Sequence, residues 1–165
     1  MTKLSVPSFC ALAVAAVLVA GASVSLRAHP LSPLTNQQLA AARAGTAAYH
    51  DVNAAIADGY EFFGFNPDEG VFEYVNFALL DCGFDPAHPE ALAYVASPDG
   101  LQLVGVEYAI PMECTPVGVP PQGFAGDDDI WSQEGDLPVW RLGAMIWAGR
   151  QDGPFDPAGG DASSR

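Results

Sequence analysis

At 165 residues the chain has the length of a single domain. Half of its residues are hydrophobic and 16% are charged, which excludes a compositionally disordered chain. Twenty acids against six lysines and arginines give a net charge of −14, and such a surface repels nucleic acid and anionic membranes, both of which need basic patches.

The first element is a leader. Lys3 precedes an apolar stretch from Phe9 to Val19, and Ala20-Gly21-Ala22 places small residues at the −3 and −1 positions of a cut before Ser23. This is the pattern of a secretory signal peptide over residues 1–22, and the stretch is short of the roughly 20 residues that span a bilayer. The expected location is secreted or periplasmic, with no stable membrane insertion after cleavage. Cleavage removes Lys3 and Cys10. It leaves five arginines, no lysine and a net charge of −15. That acidity serves solubility after export, or attracts cations. Cys82 and Cys114 remain, and an even count in an oxidising compartment predicts a disulfide. Two free thiols are the other reading. No C-x-x-C spacing supports a metal or redox pair.

Residues 23–34 read as a linker with two prolines. Thr35-Asn36-Gln37-Gln38 has the form of a capping box with Thr35 as N-cap. The alanine-rich run that follows predicts one long helix to Asp58, with Gly59 as its terminator. Its apolar stripe comprises Leu39, Ala42, Thr46, Tyr49, Asn53 and Ile56. Gly45 suggests a close approach. His50 lies at the stripe's margin, as a half-buried residue or as a ligand or acid–base group.

From Val71 to Phe77 the period changes to two, which predicts a strand with Glu73 beside Val71 and Val75. Residues 81–90 are a Pro- and Asp-rich loop. Glu90–Val95 and Leu101–Ile110, separated by the Ser97-Pro98-Asp99-Gly100 turn, predict a β-hairpin. Residues 111–138 form a long proline- and glycine-containing loop with Asp127-Asp128-Asp129, a solvated acidic run or a weak Ca²⁺ contact. Residues 138–149 suit a helix or a strand, and their aromatics favour a strand. Residues 150–165 read as a flexible tail. The sum is an α+β domain over residues 35–149, with one long N-terminal helix on an antiparallel sheet of about four strands.

No hydrolase elbow, zinc-protease, P-loop, dinucleotide-binding or EF-hand signature is present. The chemistry therefore falls to Glu107, in the apolar run LVGVEYAIP, with Glu73 and His50. Two strand carboxylates and an imidazole in one pocket suit a divalent metal or a shared proton. Tyr74 and Tyr108 adjoin them as candidate binding residues. The alternative is an open sheet face, or pairing of each Glu with an arginine such as Arg141.

Several blocks carry a resemblance: Tyr49-His50-Asp51-Val52, Asp58-Gly59-Tyr60, Tyr74 with Asn76, Pro89-Glu90 with Leu92 and Tyr94, Leu103 to Pro111, and Gly153 with Phe155. Over residues 40–156 the chain resembles a family of small exported bacterial proteins of unknown function. That family's motifs are G-F/Y-H-Y-x-N, P-E-x-L-x-Y, L-V-G/A-V-E-Y-x-x-P and L-H-x-W-x-W. The resemblance implies a His/His/Glu site, of which this chain keeps Glu107. Glu73 and Gly143 stand where the motifs carry histidine. Glycine supplies no ligand there, so the resemblance brings no reaction with it. Two functional expectations follow. One is a non-enzymatic exported domain that binds a small molecule, an ion or an envelope protein. The other is a hydrolase or isomerase using Glu107 with Glu73 and His50. The cofactor is open; a divalent metal would suit the trio.

Overall fold

The computed structural model describes residues 30–133, 137–148 and 153–155. The expected signal peptide lies outside them. The chain begins with α1 (Pro33–Thr46), capped by Ser32 rather than Thr35. Ser32 Oγ accepts the Thr35 N–H at 3.0 Å, and Pro33 sits in the first turn, where a missing N–H costs nothing. Thr35 is instead buried, and its hydroxyl donates to the Ala125 carbonyl. Gln38 Oε1 accepts the Ala125 N–H at 2.7 Å. The pair expected to cap a helix ties down a distant loop.

The single long helix is also corrected. A 3-10 turn (Ala47–His50) follows α1, and a short α2 (Val52–Ala57) restarts behind it. Asp51 makes the break. Its backbone is extended, and its Oδ1 accepts the Asn53 N–H at 3.0 Å, so a local side-chain cap displaces the continuing helix. The break rotates the buried stripe. Leu39, Ala42 and Thr46 are buried as expected, but Ala55 replaces Ile56, which is exposed. At Gly45 a Cβ would collide with the Ala87 carbonyl, which is the close approach the glycine suggested.

Five strands follow: β1 (Glu61–Asn66), β2 (Val71–Val75), β3 (Ala91–Ser97), β4 (Gly100–Pro111) and β5 (Val139–Ala144). They form one antiparallel meander in the order β1-β2-β3-β4-β5. The strand beyond the expected four is β1. Its sequence EFFGFN lacks alternation because Phe63 is an extra residue, bulged between the Phe62–Tyr74 and Gly64–Glu73 pairs. Phe62 and Phe65 therefore pack on Tyr74 and Phe72, while Phe63 packs on Phe77. The strand expected to reach Phe77 ends at Val75. Asn76 Oδ1 accepts the Ala78 N–H at 3.1 Å and starts a 3-10 turn.

The helices cover one face of the sheet. Leu39, Ala42 and Ala55 share a core with Leu92, Tyr94, Leu103, Val106, Tyr108 and Leu142. Buried tyrosines there find backbone partners: Tyr94 donates to the Tyr49 carbonyl at 2.7 Å and Tyr60 to the Pro89 carbonyl at 2.6 Å. Residues 153–155, expected in a free tail, belong to this core. Phe155 is buried with its ring 4.8 Å from that of Phe124, and Met145 N–H donates to the Pro154 carbonyl.

Cys82 and Cys114 form a disulfide between the loop after β2 and the loop after β4. It joins two segments 32 residues apart in the chain. A non-reducing peptic map of the purified protein is expected to recover one cross-linked peptide pair containing both cysteines. Recovery of both as alkylated monomers would rule the bond out.

Candidate functional site

The other face of the sheet is not covered by helix, and its composition follows from the pleat. Residues alternate faces along a strand, so Glu73 and Val75 of β2 share a face with Ala91 of β3, Glu107 and Ala109 of β4, and Val139 and Arg141 of β5. Leu103 stands four residues before Glu107, a spacing that in a regular strand puts both on one face, but it is on the helical side instead. The reason is a bulge. Tyr94 pairs with Leu103 and Ala93 with Gly105, which leaves Val104 as an extra residue and inverts the alternation. The Val104 carbonyl accepts the N–H groups of Trp147 and Ala148, which holds the bulge in place.

Arg141 stands between the two strand carboxylates. Its Nε donates to Glu107 Oε1 at 2.6 Å and its Nη2 to Glu107 Oε2 at 2.7 Å. Nη2 also donates to Glu73 Oε1 at 3.0 Å. A guanidinium fork meeting both oxygens of one carboxylate is the geometry of a charged pair. Burial pushes the Glu107 carboxyl up, and the hydrogen bonds and charge of Arg141 oppose that rise. The hydrogen bonds that Arg141 donates to Glu107 in turn raise the Arg141 pKa, so its charge is permanent. Of the alternatives open for these carboxylates, the observed one is an uncovered sheet face with both acids paired to Arg141.

These residues form one side of a cavity of ≈ 320 Å³. Val75, Ala91, Ala109 and Val139 give it apolar walls, and Phe63, Phe77, Leu80 and Leu137 stand around it. Phe63, Phe77 and Leu137 are exposed, an apolar rim on a protein of strong negative charge. Its size and apolar lining with a few polar groups are those of a small-molecule site.

A fourth polar group lines the same cavity, one that the sequence pattern did not single out. Glu90 is only 4% exposed. Its Oε2 accepts the Ala109 N–H at 3.0 Å. Ala109 lies beyond Glu107, the last β4 residue paired to β3, so the Glu90 side chain replaces a missing strand partner. Burial pushes its pKa up to about 7, against the bond from Ala109 that pulls it down. Asp81 and Asp85 add to the rise. The available signal was Glu90 directly before the apolar run Ala91–Val95, a carboxylate set against a strand of apolar residues.

The remaining candidates are not brought together. His50 ends the 3-10 turn on the helical side, with its ring 4.4 Å from that of Trp147. It does not join Glu73 and Glu107. Tyr74 and Tyr108 also face the helices. Tyr74 packs edge-on to Tyr94, and the buried Tyr108 donates to the Pro86 carbonyl at 2.9 Å. Both are one residue out of phase with the carboxylates beside them, so neither lines the cavity. Among the described residues no group of three His, Cys, Asp or Glu is placed to hold a metal ion. Asp129 of the acidic run braces its own loop, where its Oδ2 accepts the Phe124 N–H at 2.9 Å. Gly143, opposite Glu107 in the β4–β5 register, has open space where a side chain would stand.

No family model, curated protein or solved structure matches this chain. The site must therefore be read from its own geometry. Among the described residues no helix is long and apolar enough to cross a membrane.

Proposed function

We propose that the protein is an exported, non-enzymatic binding domain whose ligand is a small organic molecule held in the cavity on the uncovered face of the sheet. The cavity itself carries the reading: apolar walls with Glu73, Glu90, Glu107 and Arg141 converging on one space. The leader pattern and the Cys82–Cys114 bond are those of an exported domain. An enzyme using Glu107 as general base fits less well. Arg141 donates to both Glu107 oxygens, which stabilises the carboxylate as an anion and weakens it as a base. A metal bound by Glu73 and Glu107 would have to displace the same guanidinium.

The test is methyl-region NMR of the purified protein titrated with a neutral apolar probe, 2-phenylethanol. Saturable shifts are expected at the methyl groups of Val75, Ala91, Ala109 and Val139. Ala109→Phe, which fills the space, should abolish them. Shifts confined to the helical side, or none, would remove the cavity as the binding site.

A further inference from the structure

We propose that the cavity selects an organic cation, an ammonium group on an apolar body, and that Glu90 is the carboxylate that pairs with it. The inference rests on the cavity being the binding site. It adds what the cavity recognises.

Charge decides the class of ligand. Three carboxylates and one guanidinium line the cavity. Arg141 is committed to two of those carboxylates, Glu107 and Glu73. Among the described residues no cation pairs with Glu90. The other arginine among the described residues, Arg43, is engaged elsewhere and donates to the Ile146 carbonyl. A buried carboxylate without a counter-charge is unfavourable, and a ligand ammonium beside it removes that cost. An anionic ligand would meet three carboxylates and one neutralised guanidinium. A strongly hydrated metal ion is served less well, because Glu73 and Glu107 are already bonded to Arg141 and the walls beside Glu90 are largely apolar. The rim phenylalanines Phe63 and Phe77 add aromatic surface that favours an apolar cation.

Binding should also depend on pH. Glu90 is faced from the cavity by Glu73 of β2, Glu107 of β4 and Arg141 of β5. On its other side stand Asp81, Asp85 and His88 of the loop before β3. The Tyr60 and Tyr108 hydroxyls, which hold their protons throughout the neutral range, complete its surroundings. Asp81 and Asp85 raise Glu90 further, in the same direction as burial. Its ionised fraction therefore grows between about pH 6 and pH 8, and affinity for an ammonium should grow with it by up to about tenfold.

Isothermal titration of the purified protein with 2-phenylethylammonium, 2-phenylethanol and 3-phenylpropionate separates the possibilities. At pH 8 the ammonium is expected to bind at least about tenfold more tightly than the alcohol, and the carboxylate more weakly than either. In Glu90→Gln the ammonium should lose its advantage, with the ratio to the alcohol falling to near one. The urea midpoint of that variant, at or above the parent value, would show that it is folded. Equal binding of ammonium and alcohol by the parent protein would overturn the cation inference and leave the cavity reading standing. A preference that survives in Glu90→Gln would overturn the role of Glu90. Failure of all three probes would remove the cavity reading as well.

Discussion

Arg141→Met is expected to lower stability by about 3 kcal/mol at pH 8, measured by urea denaturation. The substitution keeps much of the side-chain bulk and removes the charge that holds Glu107 and Glu73 together. Breaking a buried pair from one side costs about 3–5 kcal/mol, because the other charge stays behind without a partner. Here the side chains of Arg141, Glu73 and Glu107 remain 29%, 24% and 23% exposed, so the low end applies. The loss should shrink towards pH 5. In the variant nothing opposes the burial that raises the Glu107 carboxyl. An acid whose folded pKa is raised destabilises progressively as pH climbs from its unfolded pKa to its folded one, so stability returns as pH falls back through that window. Glu107→Gln is the companion. It leaves Arg141 bonded to Glu73, and about 1–2 kcal/mol is expected. The double variant should be less destabilised than the sum of the two, since Glu107 is then no longer a stranded charge and only Glu73 loses its partner. Additive losses, unchanged between pH 5 and pH 8, would show that the fork does not exist in solution.

Glu90→Gln should do the reverse and stabilise the protein at alkaline pH. The Glu90 pKa rises from 4.5 to about 7 on folding, with burial as the first cause. Between those values the folded state holds a proton that the unfolded state has released. Stability from this group is therefore fully present below about pH 4.5, falls as pH rises towards 7, and is level beyond it. The accumulated loss is about 3.5 kcal/mol at most, from about 1.4 kcal/mol for each pH unit of the shift. Glutamine never ionises, and its carbonyl can still accept the Ala109 N–H. Urea denaturation curves of parent and variant are expected to coincide near pH 4.5 and to differ by about 2–3 kcal/mol at pH 8. A difference of the same size at both pH values would mean that Glu90 is not a buried ionising group. The persistence of a carboxylate that weakens the fold near neutral pH is understandable if its charge has a partner outside the chain.

The sequence by itself determined the parts that depend on local chemistry. Alternation over Val71–Phe77 and the turn at Ser97–Gly100 were enough to locate β2, which ends two residues earlier, and the β3–β4 hairpin. Cysteine parity, with Cys10 set aside in the expected leader, predicted the Cys82–Cys114 bond. The apolar neighbours of Glu107 marked it as unusual, and pairing with Arg141 was one of the readings its surroundings allowed. What failed did so wherever one residue changed the phase. Asp51 restarts the helix, Phe63 adds a residue to β1, and Val104 adds one to β4. Each breaks a periodicity on which a face assignment depends, because a shift by one residue sends every later side chain to the opposite face. Only the tertiary structure decided that Glu73 and Glu107 meet Arg141, while His50 is exposed beside Trp147 and Tyr74 and Tyr108 turn to the helices. It also decided the place of Glu90, whose importance comes from a backbone N–H of β4 that lies beyond the first residue of β3. That overhang arises from how two strands of different length lie side by side, a property of their pairing and not of either strand alone.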